Sequence, residues 1–291
     1  MVRATLLWGC SLALTMTSRG TAAQDASGGS ALAAPARSWA DDCAKNEELV
    51  LEHPGSYLRY RLHQVDEKGD KVRDLIETPE GSVARLIEQD GKPLTPEQDA
   101  GERARLNDLI SSPETFARHS RRDEDNRKTG VDILRQMPNA MLWSYAPGQP
   151  QLADQAAGGP ALVVLDFKPD PKWQAPTFES EALIGVEGRV WIDTRARRVV
   201  RLQADIFRPV NIGWGFVAHF YPGGTVTLRQ TSVGGQRWLV DHIDEKVVVR
   251  ALLLKTVKES MISDSTGAQP VPSMSYQQAI KILLDTPLAT H

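Results

Sequence analysis

The chain has 291 residues, 41% of them apolar and 24% charged, with 34 basic and 37 acidic side chains giving a net charge of −3. That length suffices for one large β domain or two small ones. The charge balance argues against a nucleic-acid binder, which carries a clear basic excess, and the apolar fraction is that of an ordinary globular chain.

The first residues read as an export signal. Arg3 supplies the positive charge, Ala4 to Thr17 is apolar and small, and "TAAQ" offers a small-x-small cleavage site after Ala23. Residues 1–23 are therefore expected to be a signal peptide, and the protein to be exported to the periplasm. The apolar run is too short for a membrane span, which takes ~20 residues, so any membrane association is peripheral. Cys10 sits inside that run, which continues through Leu12, Leu14 and Met16 and argues against lipidation there. Cys43 is then the single thiol of the mature chain, with no intramolecular disulfide partner. Gln24 to about Trp39 is rich in Ala, Ser, Gly and Pro. A flexible lead-in is expected over residues 24–45, followed by a single domain over 46–291.

From Tyr57 the sequence alternates. Tyr57, Arg59, Arg61 and His63 share one side of a strand, with Leu58, Tyr60 and Leu62 on the other. Turns at "DEKGDK", "TPEGS" and "QDGKPL" make this an antiparallel meander. Thr95 then caps a helix, with Pro96 in its first turn and Gln98 completing a capping box. A second helix starts at Ser112-Pro113. It carries Phe116, the mixed charge run "RRDEDNRK", and then Ile133, Leu134 and Met137. A run of mixed sign reads as a solvated helix face.

From Ala161 to Ser260 nearly everything reads as strand, broken by "KPDPKW", "DTRARR", "PGG" and "VGG". The chain closes with a loop around Pro270 and Pro272, then a short helix capped by Ser275 with Gln278. The fold class is therefore α+β, mainly β. A sheet of this length must close or curl to manage its edges. A curled, half-open antiparallel barrel is expected, with the inserted helices covering one face over a ligand-sized interior.

No catalytic, metal or cofactor site is expected. Histidine and cysteine spacings match no zinc pattern, and no nucleophile elbow or phosphate loop follows a strand. The best cluster is Asp241 to Glu245, where His242 and Asp244 share a strand face that His219 could approach. Such pairs are commonplace on the wet face of a sheet. Within "VEGRVWIDTRARRVVRLQADIF", Val186, Gly188, Val190 and Ile192 form one apolar face, and Val200, Leu202, Ala204 and Ile206 another. Trp191 stands on the mixed face with Arg189, under whose aliphatic arm it is expected to pack and so anchor the hairpin.

At these residues the sequence resembles a family. "GRVWIDTRARRVVRL" is similar to the strand–turn–strand signature of the LolA/LolB-like superfamily of periplasmic lipoprotein carriers, receptors and envelope-stress sensors. "DGKPLTPEQ", "MPNAMLWSY", "VVLDFKPDP", "EGRVWID" and "RWLVD" also resemble a group of exported, mostly acidobacterial proteins. The resemblance implies a half-open barrel wrapped by helices around an apolar cavity. It implies a non-catalytic carrier or sensor of a lipid, acyl chain or lipoprotein, and carries over no functional residue beyond the hairpin of Trp191. The amphipathic second helix offers Phe116, Ile133, Leu134 and Met137 to face the interior, and with Trp191 these are the candidate ligand-binding residues. The other reading is an envelope interaction protein with a filled core and a protein partner.

Overall fold

The computed structural model describes residues 34–53, 55–149, 161–212, 218–251 and 255–287. The expected signal peptide and residues 24–33 of the expected lead-in lie outside them. From Ala36 onward the flexible lead-in is corrected: helix α1 spans Ala36–Glu52. It folds because Trp39, Ala40, Cys43 and Glu47 recur one helical turn apart and are all buried. A composition poor in large apolar residues hid a short stripe that another surface covers.

Strands β1 (Tyr57–Asp66), β2 (Gly69–Ile76), β3 (Val83–Gln89) and β4 (Lys92–Pro93) form the early meander. Helices α2 (Pro96–Ser111) and α3 (Pro113–Ala140) follow. Next come β5 (Met141–Tyr145), β6 (Leu162–Pro169), a 3-10 helix (Glu179–Gly185), β7 (Val186–Asp193) and β8 (Arg198–Ile206). The short β9 (Val210–Ile212) and β10 (Ala218–Phe220) precede β11 (Gly224–Gly234), β12 (Arg237–Ala251), β13 (Lys255–Val271) and the final helix α4 (Tyr276–Asp285). Both expected capping boxes are present, Thr95 with Gln98 and Ser275 with Gln278.

Thirteen strands among the described residues make one antiparallel sheet in the order β4-β3-β2-β1-β13-β12-β11-β8-β7-β6-β5, with β10 and then β9 continuing beside β12. The chain is thus α+β and mainly β, and the sheet is open, with β4 and β5 at its ends. The first and last strands of the chain's β part, β1 and β13, lie side by side. The loop expected around Pro270 is strand as far as Val271, because β1 pairs along it from Tyr57↔Val271 and Leu58↔Pro270. Between Arg59↔Gln269 and Arg61↔Thr266 two residues oppose one, and Gly267 takes the left-handed φ of +65° that such a bulge favours.

Helices cover both faces of the sheet. Successive strand residues point to opposite faces, so Leu75 and Ile76 at the end of β2 mark the two sides. Ile76 belongs to a core with Leu106 and Leu109 of α2, Phe116 of α3, and Ile280 and Leu283 of α4. On the other face Trp39 and Cys43 of α1 pack against Val163, Leu165, Val190 and Ile192. The later half of α3, through Ile133, packs on that face too, beside Phe167, Leu202 and Leu228. No helix among the described residues is long and apolar enough to cross a membrane.

Candidate functional site: a helix-covered apolar cavity

The face beneath α1 and the later half of α3 holds a cavity of about 470 Å³. Ligand sites commonly run ~300–1,000 Å³. Its wall draws on nine neighbouring strands in the sheet order, from Leu75 on β2 to Trp143 on β5, with Phe220 of β10 and Val210 of β9 beside them. Strand alternation supplies that surface: Tyr60 and Leu62 line it, while Arg59 and His63 turn outward to Asp74 and Asp70. In the β7–β8 hairpin Val190 and Ile192 line it likewise. Gly188 is required there, because a Cβ would sit 2.0 Å from the carbonyl oxygen of Gln203.

The basic turn between β7 and β8 holds α1 over this cavity. Asp193 closes the turn by accepting from the backbone N–H groups of Arg195 (2.8 Å) and Ala196 (2.7 Å), and Arg197 takes a left-handed φ of +51°. Its guanidinium lies 3.6 Å from the centroid of Trp39 and pairs with Asp42 at 3.0 Å. Asn46 of α1 donates to the carbonyls of Ala196 and Arg197. Arg198 turns inward and grips Glu47 with two hydrogen bonds of 2.8 and 2.7 Å. Glu47 also accepts from Val199 N–H (3.0 Å) and Gln230 (2.9 Å), so the buried carboxylate is saturated.

A second buried pair lies in the wall. Arg237 donates to both oxygens of Glu77 at 2.6 and 2.7 Å, and Leu58 N–H donates to the same carboxylate at 3.0 Å. Burial pushes the Glu77 carboxyl above its ordinary range, against the pull of the Arg237 guanidinium. Burial likewise raises Asp123, and it raises Glu245 with added repulsion from Glu259 and Glu67. The Cys43 thiol lines the cavity, and burial, followed by the Glu47 charge, raises its pKa well above the ordinary value. It is a neutral wall residue rather than a nucleophile.

Of the residues anticipated for ligand binding, Ile133, Leu134 and Met137 do line the cavity. Phe116 and Trp191 are not in its wall. Phe116 stacks on Tyr276, with ring centroids 3.8 Å apart, in the core beneath α4. About five turns of helix separate it from Ile133. Trp191 falls between two inward residues and so faces outward, half-buried under the Arg201 guanidinium at 4.9 Å rather than the expected Arg189, which pairs with Asp166 at 2.6 Å. A bulge after Trp191 pairs Ile192 with Val199, so Val199 rather than Val200 joins the cavity face.

His219 and His242 are not brought together. His242 pairs with Asp264 at 2.7 Å, whereas His219 lies opposite Arg250, eight residues further along β12, or roughly 26 Å at ~3.3 Å per residue. The residues missed were those of α1. A stripe at Trp39, Cys43 and Glu47, four residues apart, was the signal that could have found them. Comparison with family models, curated proteins and solved structures finds no match to this chain.

Proposed function

We propose that this chain is a non-catalytic binding protein that holds a hydrophobic ligand, a lipid or acyl chain, between the sheet and its two covering helices. One observation carries the reading: a cavity of about 470 Å³ whose wall is overwhelmingly apolar and is built by nine neighbouring strands. Residues so far apart in the sheet order can border one space if the open sheet curls round it, as a half-open barrel does. That arrangement is what the LolA-like resemblance implies, and export to the cell envelope follows from the reading of residues 1–23. A well-filled interior would favour the interaction-protein alternative, and a cavity of this size weighs against it. Each buried methylene gains ~0.8 kcal/mol, so one acyl chain supports useful affinity after ordering costs.

The test is binding of N-phenyl-1-naphthylamine, a neutral probe whose emission rises in apolar surroundings, to the purified protein. Saturable binding that long-chain lipids displace is the expected result, with a co-purifying amphiphile in native mass spectra. No saturable binding at micromolar concentration, together with spectra free of any adduct, sinks the proposal.

A further inference from the structure

The charges in the cavity wall do not balance. Glu47, Glu77, Asp123 and Glu245 face Arg198 and Arg237, with no lysine or histidine among the described lining residues. Arg198 is neutralised by Glu47, and Arg237 by Glu77. Two carboxyl groups are left over. Asp123, on the covering helix α3, has the charges of Arg122 and His119 beside it. Glu245 has neither a cation nor a hydrogen-bond donor acting on it among the described residues.

Strand register places Glu245 within an apolar patch. Its neighbours on the same face of β12 are Ile243 and Val247, and across the ladders stand Val226 of β11 and Met261 of β13. All four line the cavity, as does Glu245 itself. The residue is half-buried, and its carboxylate oxygens are not closed off by packing, as Arg237 Nε and Ser82 Oγ are. More negative charge gathers at this end of the wall. Ser260 N–H donates to Glu67, which draws the exposed β1–β2 turn to within a residue of Met261. Glu67 and Glu259 repel the Glu245 carboxylate and, after burial, raise its pKa.

An acid left without a partner in an apolar wall costs stability. A ligand that brings a cation offsets that cost, whereas a fatty-acid carboxylate would add to the repulsion. We propose that the cavity takes an amphiphile whose head is a protonated amine, with the ammonium against Glu245 and the hydrocarbon chain along the apolar wall. The negative field of Glu67 and Glu259 draws such a head to this end of the cavity, and a neutral head gains nothing from it. The assignment rests on the lipid-binding reading and adds the sign of the head group to it.

The experiment displaces N-phenyl-1-naphthylamine from the full chain at pH 7 with dodecylamine, 1-dodecanol or laurate, which share a chain length and differ in the charge of the head. Dodecylamine is protonated at that pH, as a lysine amine is. It should compete at least about tenfold better than dodecanol, with laurate the weakest. Glu245→Gln keeps the side chain's size and should bring dodecylamine down to the level of dodecanol. Asp205→Asn removes the same charge from the exposed outer face of β8 and should leave the preference unchanged, which separates the cavity from general attraction to an acidic chain. Lauroyl lysophosphatidylethanolamine carries a phosphate beside its amine and should fall behind dodecylamine; equal competition would overturn the need for a net cation. If dodecanol matches dodecylamine in the wild-type chain, or if the preference survives Glu245→Gln, the amine assignment is wrong and hydrophobic binding stands. If the probe does not bind at all, the underlying reading fails and this one with it.

Discussion

Arg197 and Arg198 are neighbours in one turn and put the same charge to different uses. Arg197 lies at the surface, where its ion pair with Asp42 contributes little and its plane against Trp39 contributes packing. Arg198 is buried, and its pair with Glu47 is kept by four hydrogen bonds to the carboxylate. Trp39 beneath the turn is fully buried. Trp39→Ala should therefore cost ~3–5 kcal/mol in urea unfolding, the scale for a truncated core aromatic. Trp191→Ala, outside the cavity and half-exposed, should cost only about 1 kcal/mol, mainly its contact with Arg201, and leave ligand binding unchanged. Glu245 carries a pH signature. Burial and the nearby Glu259 and Glu67 raise its folded pKa, so the folded state holds that proton more tightly than the unfolded chain. Its contribution is then most favourable below the unfolded pKa and is lost as pH rises through the folded value. Glu245→Gln should raise the urea midpoint at pH 8 and change it little at pH 4; an equal shift at both would show that the charge is not responsible.

At the scale of elements, α3 is one helix with two jobs. Its first turn places Phe116 in the core with α4, and its last turns bring Ile133, Leu134 and Met137 over the cavity. The mixed-charge middle, expected to be a solvated face, is solvated only in part: Asp123 lines the cavity and Arg127 reaches the carbonyl of Leu51 in α1, while further along Arg135 meets Glu48 and Glu52 on the surface. Leu134 is half-buried and lines the cavity, so Leu134→Arg puts a charge where the chain of the ligand is expected to run. The probe should bind at least about tenfold more weakly, with the urea midpoint nearly kept because the long side chain can reach solvent. Unchanged probe affinity in a folded variant would mean that α3 covers the cavity without touching its ligand. Alpha-helix α1 is the other half of the cover, and the turn after Asp193 decides its position more than its own sequence does.

At the scale of the whole molecule, binding inside the cavity couples to global stability. A ligand that engages only the folded chain stabilises it by mass action, ~2.7 kcal/mol at a hundred times its Kd. N-phenyl-1-naphthylamine at that concentration should raise the urea midpoint of the wild-type chain accordingly, and much less in the Leu134→Arg variant. The β1, β7 and β8 alternation, the hairpin turns and the two capping boxes were legible in the sequence because each is set by residues within a few positions of one another. Helix α1 was not, since Trp39, Cys43 and Glu47 are buried by Val163, Val190 and Arg198 more than a hundred residues away. The same holds for the site. Ile133, Leu134 and Met137 follow from a local apolar stripe, whereas Phe116 was assigned to the wrong face and the Glu77–Arg237 and Glu47–Arg198 pairs went unseen. Periodicity states that a residue is covered and says nothing of what covers it. By itself the sequence determined the early meander, the β7–β8 hairpin and the two capped helix starts, which are short-range properties of backbone and side chain. Only the tertiary structure decided which covered face encloses a cavity and which polar groups stand in its wall, because those depend on strands brought together from opposite ends of the chain.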